Sequence, residues 1–261
     1  MQPYTTEFAL VYDILMDHIP YADWADYINK LLIQSGIENG LVLELACGTG
    51  NMTRRLADKG YDMIGVDTSE EMLSIAREMS EGRNDGILYL CQDMREFELY
   101  GTVAAIFCVC DSMNYMLTKE DLLKVFYLAS NYLDPGGLLI FDMDTSYAYE
   151  EVLGDNTVAV NREEGSFIWE NTFYPEEMVN EVNLTIFIPE AQQGGQVRYR
   201  KQEETHIRKA YSIDTVKRLI EEAGLDWVAA YDELSEEEPQ PDSERVYIIA
   251  KEKHHPDKLY L

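Results

Sequence analysis

A short glycine-rich turn is the first feature of the sequence that could bind a ligand. The segment 48–50, Gly-Thr-Gly, follows the apolar run 41–46 and precedes residues with helical spacing. Backbone amides and the positive end of a helix dipole meet at such a turn, which therefore suits a nucleotide or a related molecule. A dinucleotide fingerprint would require glycine or alanine where Thr53 stands. Glu44, four residues before the first glycine, disfavours a pyrophosphate and favours a cationic ammonium group.

Three more carboxylates end apolar runs further along the chain. Asp67 lies 17 residues after Gly50, Asp93 ends the third run, and Asp111 ends the fourth. Each has a plainer interpretation, because Asp67 can cap the next helix and Asp93 can simply end a strand. Ligands of open α/β sheets, however, bind at the carboxyl ends of parallel strands. Four such features at the ends of consecutive predicted strands therefore indicate one binding site.

The elements that position these residues alternate between strands and helices. Strands are predicted at 41–46, 61–67, 86–93, 102–111 and 138–144, and a tight turn at 134–137 precedes the last of them. Helices are predicted after the turn at Gly50, after a cap at Thr68 or Ser69, and at 121–133. Apolar strands alternating with helices indicate a parallel sheet covered on both faces. Residues 7–34 predict two helices separated at Pro20.

The stretch 156–210 differs from the rest of the chain. Apolar and polar residues alternate with period two, and turn signals stand at 164–165 and 194–195, which predicts an antiparallel β meander. After it, Ser212 caps a helix that Gly224 ends, and two strands follow at 225–232 and 245–252. We therefore divide the chain into residues 1–155, an insertion at 156–210 expected to act as a substrate lid, and residues 211–261.

Composition narrows the class of partner. Acidic residues number 49 against 21 basic ones, so the formal net charge is −28, which disfavours nucleic acid and anionic membranes as partners. The four cysteines form no CxxC pair, and we expect reduced thiols and no metal site. No run of 18 apolar residues and no basic leader segment is present, so a soluble, cytoplasmic protein is expected. The segment 221–244, with ten acids and no Lys or Arg, is expected to be solvated.

Residues 43–50, Leu-Glu-Leu-Ala-Cys-Gly-Thr-Gly, resemble motif I of class I S-adenosylmethionine-dependent methyltransferases, with Ala46 at the place of the usual first glycine. The resemblance implies a Rossmann-like sheet, mostly parallel, of seven strands with the last one antiparallel, preceded by N-terminal helices. The segments 8–13 and 204–212 and the insertion after strand five resemble bacterial small-molecule methyltransferases. S-adenosylmethionine as cofactor, a small-molecule methyl acceptor, and a monomer or homodimer are therefore expected.

The resemblance also implies site residues. Asp67 would take both ribose hydroxyls, residues 92–94 would read the adenine, and residues 108–115 would flank the methyl group. Arg54 or Arg55 could pair with the carboxylate of the cofactor. The residues expected to bind the cofactor are Tyr12, Glu44, Ala46, Cys47, Gly48, Gly50, Asp67, Thr68, Met72, Asp93, Met94, Cys110 and Asp111.

A sulfonium methyl group is already activated, so methyl transfer depends mainly on alignment of the two reactants and on exclusion of water. His206 is the first candidate for a base or a substrate contact, and Tyr115 is the second catalytic candidate. A histidine on an alternating strand can also be an ordinary sheet residue. Several aromatic residues could form a cage around the sulfonium, although core packing is the plainer interpretation for most of them: Tyr4, Tyr12, Tyr115, Trp169, Phe173, Tyr174 and Tyr211.

Two other classes of function remain open at this point. One is a non-catalytic module that binds S-adenosylmethionine and regulates a partner through the acidic segment 232–244. The other is a nicotinamide-dependent oxidoreductase, against which Thr53 and Glu44 both speak. Methyl transfer to RNA is disfavoured by the charge.

Overall fold

The computed structural model describes residues 12, 13, 16, 19–193 and 196–253. At 191–193 and 196 it describes the backbone only. The first of the two predicted N-terminal helices lies mostly outside these residues, as do Phe8, Tyr4 and the turn at 194–195. The second helix begins directly after Pro20, as predicted. In the described part of the chain, no helix has both the length and the apolar character needed to cross a bilayer.

Eleven strands and five α-helices are present within the described residues. The strands are β1 Leu41–Leu45, β2 Asp62–Asp67, β3 Leu88–Cys91, β4 Val103–Cys108, β5 Leu133–Asp144, β6 Thr157–Asn161, β7 Ser166–Tyr174, β8 Val179–Gln193, β9 Gln196–Lys209, β10 Leu225–Asp232 and β11 Arg245–Glu252. The helices are α1 Tyr21–Gln34, α2 Asn51–Asp58, α3 Glu70–Met79, α4 Lys119–Tyr132 and α5 Ile213–Glu222, with a 3₁₀ turn at Ser112–Tyr115 and a π-helical turn at Ala148–Leu153.

The main sheet has the order β10-β11-β5-β4-β1-β2-β3. The strands β1 to β5 are parallel, whereas β11 runs antiparallel to both of its neighbours. Helices cover both faces, so that Val42, Leu43 and Leu45 of the inner strand β1 are all fully buried. This arrangement confirms the predicted Rossmann-like sheet with an antiparallel last strand.

The start of β5 differs from the prediction of a tight turn that precedes the strand. Leu133 already pairs with Val103, and the next pair along the ladder is Leu138 with Ala105. Four residues of β5 therefore stand opposite a single residue of β4, as a bulge inside the strand. Gly137 allows the close approach, because a Cβ atom there would lie 2.8 Å from the carbonyl oxygen of Ala104.

Serine caps begin two of the helices near the site. The Ser69 hydroxyl accepts a hydrogen bond from the Met72 amide, and the Ser212 hydroxyl accepts one from the Thr215 amide. Of the two capping candidates at the start of α3, Ser69 is therefore the cap, and Thr68 is left at the end of the turn.

The insertion is a second sheet with the order β6-β7-β8-β9, entirely antiparallel, as predicted. Its apolar face packs against α3 through a buried cluster of Met72 with Phe167, Leu184 and Ile186. The end of β9 is tied to the main sheet by Asn114, whose amide nitrogen donates to the carbonyl oxygens of Asp144 and Lys209. The second sheet is therefore attached to the same strand ends that carry the predicted site.

Candidate functional site

A cavity opens at the carboxyl ends of β1 to β4. Its volume of about 250 Å³ is slightly below the usual range for small-molecule sites, which begins at about 300 Å³. All of the residues expected to bind the cofactor line it, except Gly50 and Asp111. Tyr115 also lines it, whereas His206 does not. Thr49, Gln92, Val109 and Ser112 also line it, and they lie within the segments 48–50, 92–94 and 108–115 that the sequence singled out. Sequence reasoning missed the other residues of the wall, which are Tyr21, Asn51, Met52, Arg95 and Met116.

The glycine-rich turn presents its backbone to this cavity. Ala46 has a φ of +56° and Gly48 a φ of +53°, so the chain turns through left-handed conformations directly after β1. A Cβ atom on Gly48 would meet no other atom within 4 Å, which leaves space beside the backbone for a ligand. Gly50 serves the fold instead, because a Cβ atom there would lie 2.5 Å from the Tyr89 hydroxyl.

Glu44 is the most strongly perturbed acid on the cavity wall. Its pKa is raised to about 8, chiefly by burial and also by nearby Asp67, while the hydrogen bond from the Thr53 hydroxyl and the charge of Arg54 oppose the rise. At neutral pH this side chain is mostly uncharged. A cation bound beside it would favour the ionised form, so the acid suits the positively charged group that its position in the motif predicts.

Asp67 connects the glycine-rich turn to α3. Its Oδ2 accepts a hydrogen bond from the Gly48 amide at 2.8 Å, and its Oδ1 accepts one from the Ser69 amide at 2.9 Å. Burial raises its pKa despite these bonds. The Asp67 carboxylate therefore stabilises the turn and also lines the cavity, so a local role in the turn does not exclude a role in binding.

Asp93 and Arg95, which both line the cavity, form an ion pair. The Arg95 Nε atom donates to both carboxylate oxygens of Asp93, at 2.9 and 3.1 Å, and this hydrogen bonding lowers the pKa of Asp93. Asp93 is therefore ionised and oriented, so it can still accept from an amino group of a ligand.

The N-terminal segment also reaches this site. Asp13 accepts hydrogen bonds at 2.8 Å from the side chains of Thr49 and Asn51, and its neighbour Tyr12 lines the cavity. Within the range 8–13 that carries part of the resemblance, Tyr12 and Asp13 are the described residues. Asp13 bonds to the glycine-rich turn, and Tyr12 lines the cavity.

Arg54 and Arg55 do not line the cavity. Arg54 is buried and donates to the carbonyl oxygen of Thr49 at 2.6 Å, while Arg55 bonds to Asn51 and lies over the ring of Tyr21. The expected pairing with the cofactor carboxylate therefore has no support from their positions, because both guanidinium groups already have partners within the fold.

Asp111, one of the residues expected to bind the cofactor, lies outside the cavity wall. Its carboxylate forms ion pairs with Arg208 of β9 and with Arg245 of β11 rather than lining the cavity. Arg245 also pairs with Asp142 at 2.9 Å and with Asp144 at 3.0 Å. These buried charges join three strands. Burial raises the pKa of Asp142 to about 7, and burial together with the nearby Asp111 carboxylate raises the pKa of Asp144. Arg208 lies in the segment 204–212 that carries part of the resemblance, whereas sequence reasoning did not single out Arg245.

His206 reaches the cavity through Tyr115. The Tyr115 hydroxyl lies 2.8 Å from Nδ1 of His206, and Nε2 of the same ring lies 3.3 Å from Oε2 of Glu204. His206 and Glu204 are both buried, whereas Tyr115 forms part of the wall. The structure therefore brings the two catalytic candidates together, but it places only Tyr115 where a substrate could touch it.

The expected aromatic cage is only partly present. Tyr12, Tyr21 and Tyr115 line the cavity, and Tyr21 was not among the expected residues. The other described candidates have different neighbours: Trp169 stacks on Arg208, Phe173 on Tyr149, the Tyr211 hydroxyl bonds to the Met116 carbonyl, and Tyr174 is exposed. Among the described residues, no group of three potential ligands could hold a metal ion.

Comparison with known proteins agrees with this geometry. A sequence model of a methyltransferase domain matches residues 42–137. YqeM of Bacillus subtilis, which is named as a methyltransferase, is 34% identical over 94% of this chain and 95% of its own. A solved S-adenosylmethionine-dependent methyltransferase from Clostridium acetobutylicum has a TM-score of 0.83 at 29% identity, covering 95% of this chain and 98% of that one.

A third similarity is more limited in extent. The dTDP-3-amino-3,4,6-trideoxy-alpha-D-glucopyranose N,N-dimethyltransferase of Streptomyces venezuelae is 29% identical over 60% of this chain and 65% of its own. The relatives that cover almost the whole chain, together with the sheet order and the cavity at the ends of β1 to β4, assign the family. The chain belongs to the class I S-adenosylmethionine-dependent methyltransferases.

Proposed function

We propose that this enzyme methylates a small-molecule acceptor in the cavity at the ends of β1 to β4, and that the second sheet acts as a lid over the acceptor. The proposal rests on the combination of groups that line this cavity. Open backbone at Gly48, the buried acid Glu44 and the oriented carboxylate Asp67 lie together in a cavity that suits a small molecule.

The residues present fit S-adenosylmethionine, which when bound supplies an activated methyl group. Glu44 would face the ammonium group of the cofactor, and Asp67 would accept hydrogen bonds from the ribose hydroxyls. Asp93 would accept from the adenine amine, with Met94 beside the ring. A Cβ atom at Gly48 would fill the space that the cofactor needs. Tyr12, Met72, Cys110 and Tyr115 would enclose the end of the cavity where the methyl group is transferred.

The second sheet supports a role in holding the acceptor and excluding water. It packs on α3 through Met72, which itself lines the cavity, and it contacts the wall again where His206 meets Tyr115. Alignment and exclusion of water are the main requirements of this reaction. We therefore retain the division into a cofactor-binding part at 1–155, a lid at 156–210, and a completing part at 211–261.

A small acceptor is favoured over nucleic acid by two observations. The chain carries a formal net charge of −28, which repels phosphate backbones. The Streptomyces venezuelae relative is named for methylation of an amino sugar nucleotide, which supports a small molecule as the acceptor here.

Two experiments test the proposal. Calorimetry with S-adenosylhomocysteine tests the cofactor site, and we expect one site per chain. Incubation with S-adenosylmethionine and a bacterial small-molecule extract, followed by mass spectrometry, tests the acceptor class. A methylated product in the small-molecule fraction supports the proposal. Methyl transfer found only in an RNA or protein fraction would contradict it.

A further inference from the structure

We propose that Tyr115, His206 and Glu204 form a proton-accepting chain that runs from the cavity into the second sheet, and that the acceptor is methylated on a nitrogen or oxygen that carries a proton. The inference rests on the proposed function, because it assumes that the acceptor binds beside Tyr115. It adds a positioning residue, Glu204, and a direction for the movement of the proton.

The three side chains form a continuous line. The Tyr115 hydroxyl lies 2.8 Å from Nδ1 of His206, and Nε2 of His206 lies 3.3 Å from Oε2 of Glu204. Only Tyr115 lines the cavity, while the side chains of His206 and Glu204 are 4% and 0% exposed. A proton that leaves a group bound in the cavity can therefore enter the line at one end only, which is the Tyr115 hydroxyl.

The two elements that carry these residues are held together firmly. Glu204, His206 and Arg208 alternate along β9, so all three point to the same buried face. Arg208 pairs with Asp111, which lies directly before the 3₁₀ turn that ends at Tyr115. Asn114, the residue before Tyr115, donates to the carbonyl oxygen of Lys209 at 2.9 Å. These contacts hold the 3₁₀ turn that carries Tyr115 against the strand β9 that carries His206.

The position of Glu204 sets the direction of transfer. A carboxylate favours a proton on the ring nitrogen that faces it, which here is Nε2. Neutral His206 then has a bare Nδ1, and the Tyr115 hydroxyl donates to it. If His206 takes up a second proton, the nearby carboxylate stabilises the imidazolium that forms. This is the arrangement of a donor, a base and an orienting carboxylate that recurs in enzymes with an activated hydroxyl.

The proposed step balances without a further reactant. The acceptor heteroatom forms a bond to the methyl carbon while the carbon–sulfur bond breaks and its electron pair remains on sulfur. The proton on the heteroatom passes to Oη of Tyr115, and the Tyr115 hydroxyl proton passes to Nδ1 of His206. Once the product has left, the imidazolium returns that proton through the Tyr115 hydroxyl to water in the cavity. The acceptor therefore needs an N–H or O–H group at the reacting atom, as in a primary or secondary amine or a hydroxyl.

The first test measures the tautomer of His206 directly. The sequence has four histidines, so the signals of His206 in a ¹⁵N-histidine NMR spectrum can be assigned by their loss in His206→Gln. In the full-length protein with S-adenosylhomocysteine present, we expect a neutral ring with its proton on Nε2. A proton on Nδ1 would overturn the proposal, because Tyr115 could not then donate to this ring.

The second test follows product formed from methyl-labelled S-adenosylmethionine and the small-molecule extract. We expect Tyr115→Phe and His206→Gln to lower the rate by about 100-fold, as for loss of a general base. Glu204→Gln should lower it less and should move the rising limb of the pH profile to lower pH, because the imidazolium loses its stabilising charge. Glu203→Gln, on the exposed face of β9, is the matched control and should leave the rate and profile unchanged.

The two proposals can fail separately. Binding of S-adenosylhomocysteine should change by less than about threefold in the three variants, since Tyr115→Phe keeps the ring on the cavity wall and His206 and Glu204 lie behind it. Unchanged rates in Tyr115→Phe and His206→Gln would overturn the proposed proton-accepting chain and leave the proposed methyltransferase site intact. A Glu204→Gln profile that is lowered but not displaced would also overturn it, because a purely structural role predicts that result. Failure of the parent protein to bind S-adenosylhomocysteine would instead contradict the proposed cofactor site.

Discussion

If Glu44 faces the ammonium group of the cofactor, binding must be coupled to loss of a proton. The pKa of Glu44 in the free protein is raised to about 8, chiefly by burial and further by Asp67, and is opposed by Thr53 and Arg54. At pH 6.5 nearly every molecule carries a proton on this acid, whereas the bound ammonium group needs the ionised form. Each pH unit below 8 therefore costs about 1.4 kcal/mol of binding free energy.

This cost predicts a steep pH dependence that the sequence alone would not suggest. The dissociation constant of S-adenosylhomocysteine should fall about 25-fold between pH 6 and pH 7.5. With a pKa of about 8, the ionised fraction of Glu44 in the free protein rises by about that factor over this range. Calorimetry at pH 6.5 in buffers of different ionisation enthalpy should show release of about one proton per site. Glu44→Gln is the control, and it should bind more weakly with no proton release through this group.

The same acid makes a prediction about folding. Its pKa is about 8 in the folded state against 4.5 in a solvated chain, so the stability contributed by the protonated form is complete below 4.5 and is lost as the pH rises towards 8. The loss amounts to roughly 4–5 kcal/mol at its upper limit. Urea denaturation should therefore show Glu44→Gln gaining stability over the parent as the pH rises. Binding without proton release, or a parent and variant with parallel pH dependence, would refute this role for Glu44.

Three further substitutions test other parts of the site. Asp67→Ala should weaken S-adenosylhomocysteine by about 1.5–3 kcal/mol through loss of charged hydrogen bonds, and unchanged affinity in calorimetry would contradict its ribose role. Gly48→Val should fold with a strain of about 1–2 kcal/mol at its positive φ yet bind poorly, whereas binding equal to the parent would show that the turn does not hold the cofactor. Arg208→Leu should lower the free energy of unfolding by about 3–5 kcal/mol, because Asp111 and Asp144 lose a buried partner, and a loss below 1 kcal/mol in urea would show that Arg245 compensates.

Local patterns were sufficient to predict the main sheet and most of the cavity wall. Each motif residue ends or follows an apolar run, and parallel strands bring their carboxyl ends to one edge of the sheet. The order of the motifs along the chain therefore predicts that Glu44, Gly48, Asp67 and Asp93 lie together, and all four line the cavity. The period-two pattern of the insertion likewise predicts its meander, since alternation is a local property of strands.

Contacts between distant segments could not be predicted in this way. Asp111 stands at the end of a strand like the other acids, but its carboxylate pairs with Arg208 and Arg245, which follow it by 97 and 134 positions. A period-two pattern shows which residues of β9 share a face, but it does not show what that face meets. The packing of the second sheet decides this, because it brings His206 within 2.8 Å of Tyr115.

The sequence by itself determined the α/β class of the fold, because strand and helix patterns depend on spacings within single strand-turn-helix units. The resemblance of residues 43–50 to motif I predicted the cofactor. The tertiary structure decided which side chains are available to a ligand and which are already paired. It removed Asp111 and Gly50 from the wall, added Tyr21 and Arg95, and placed His206 behind Tyr115. The physical reason is that burial and ion pairing depend on segments far apart in sequence, so no local pattern records them.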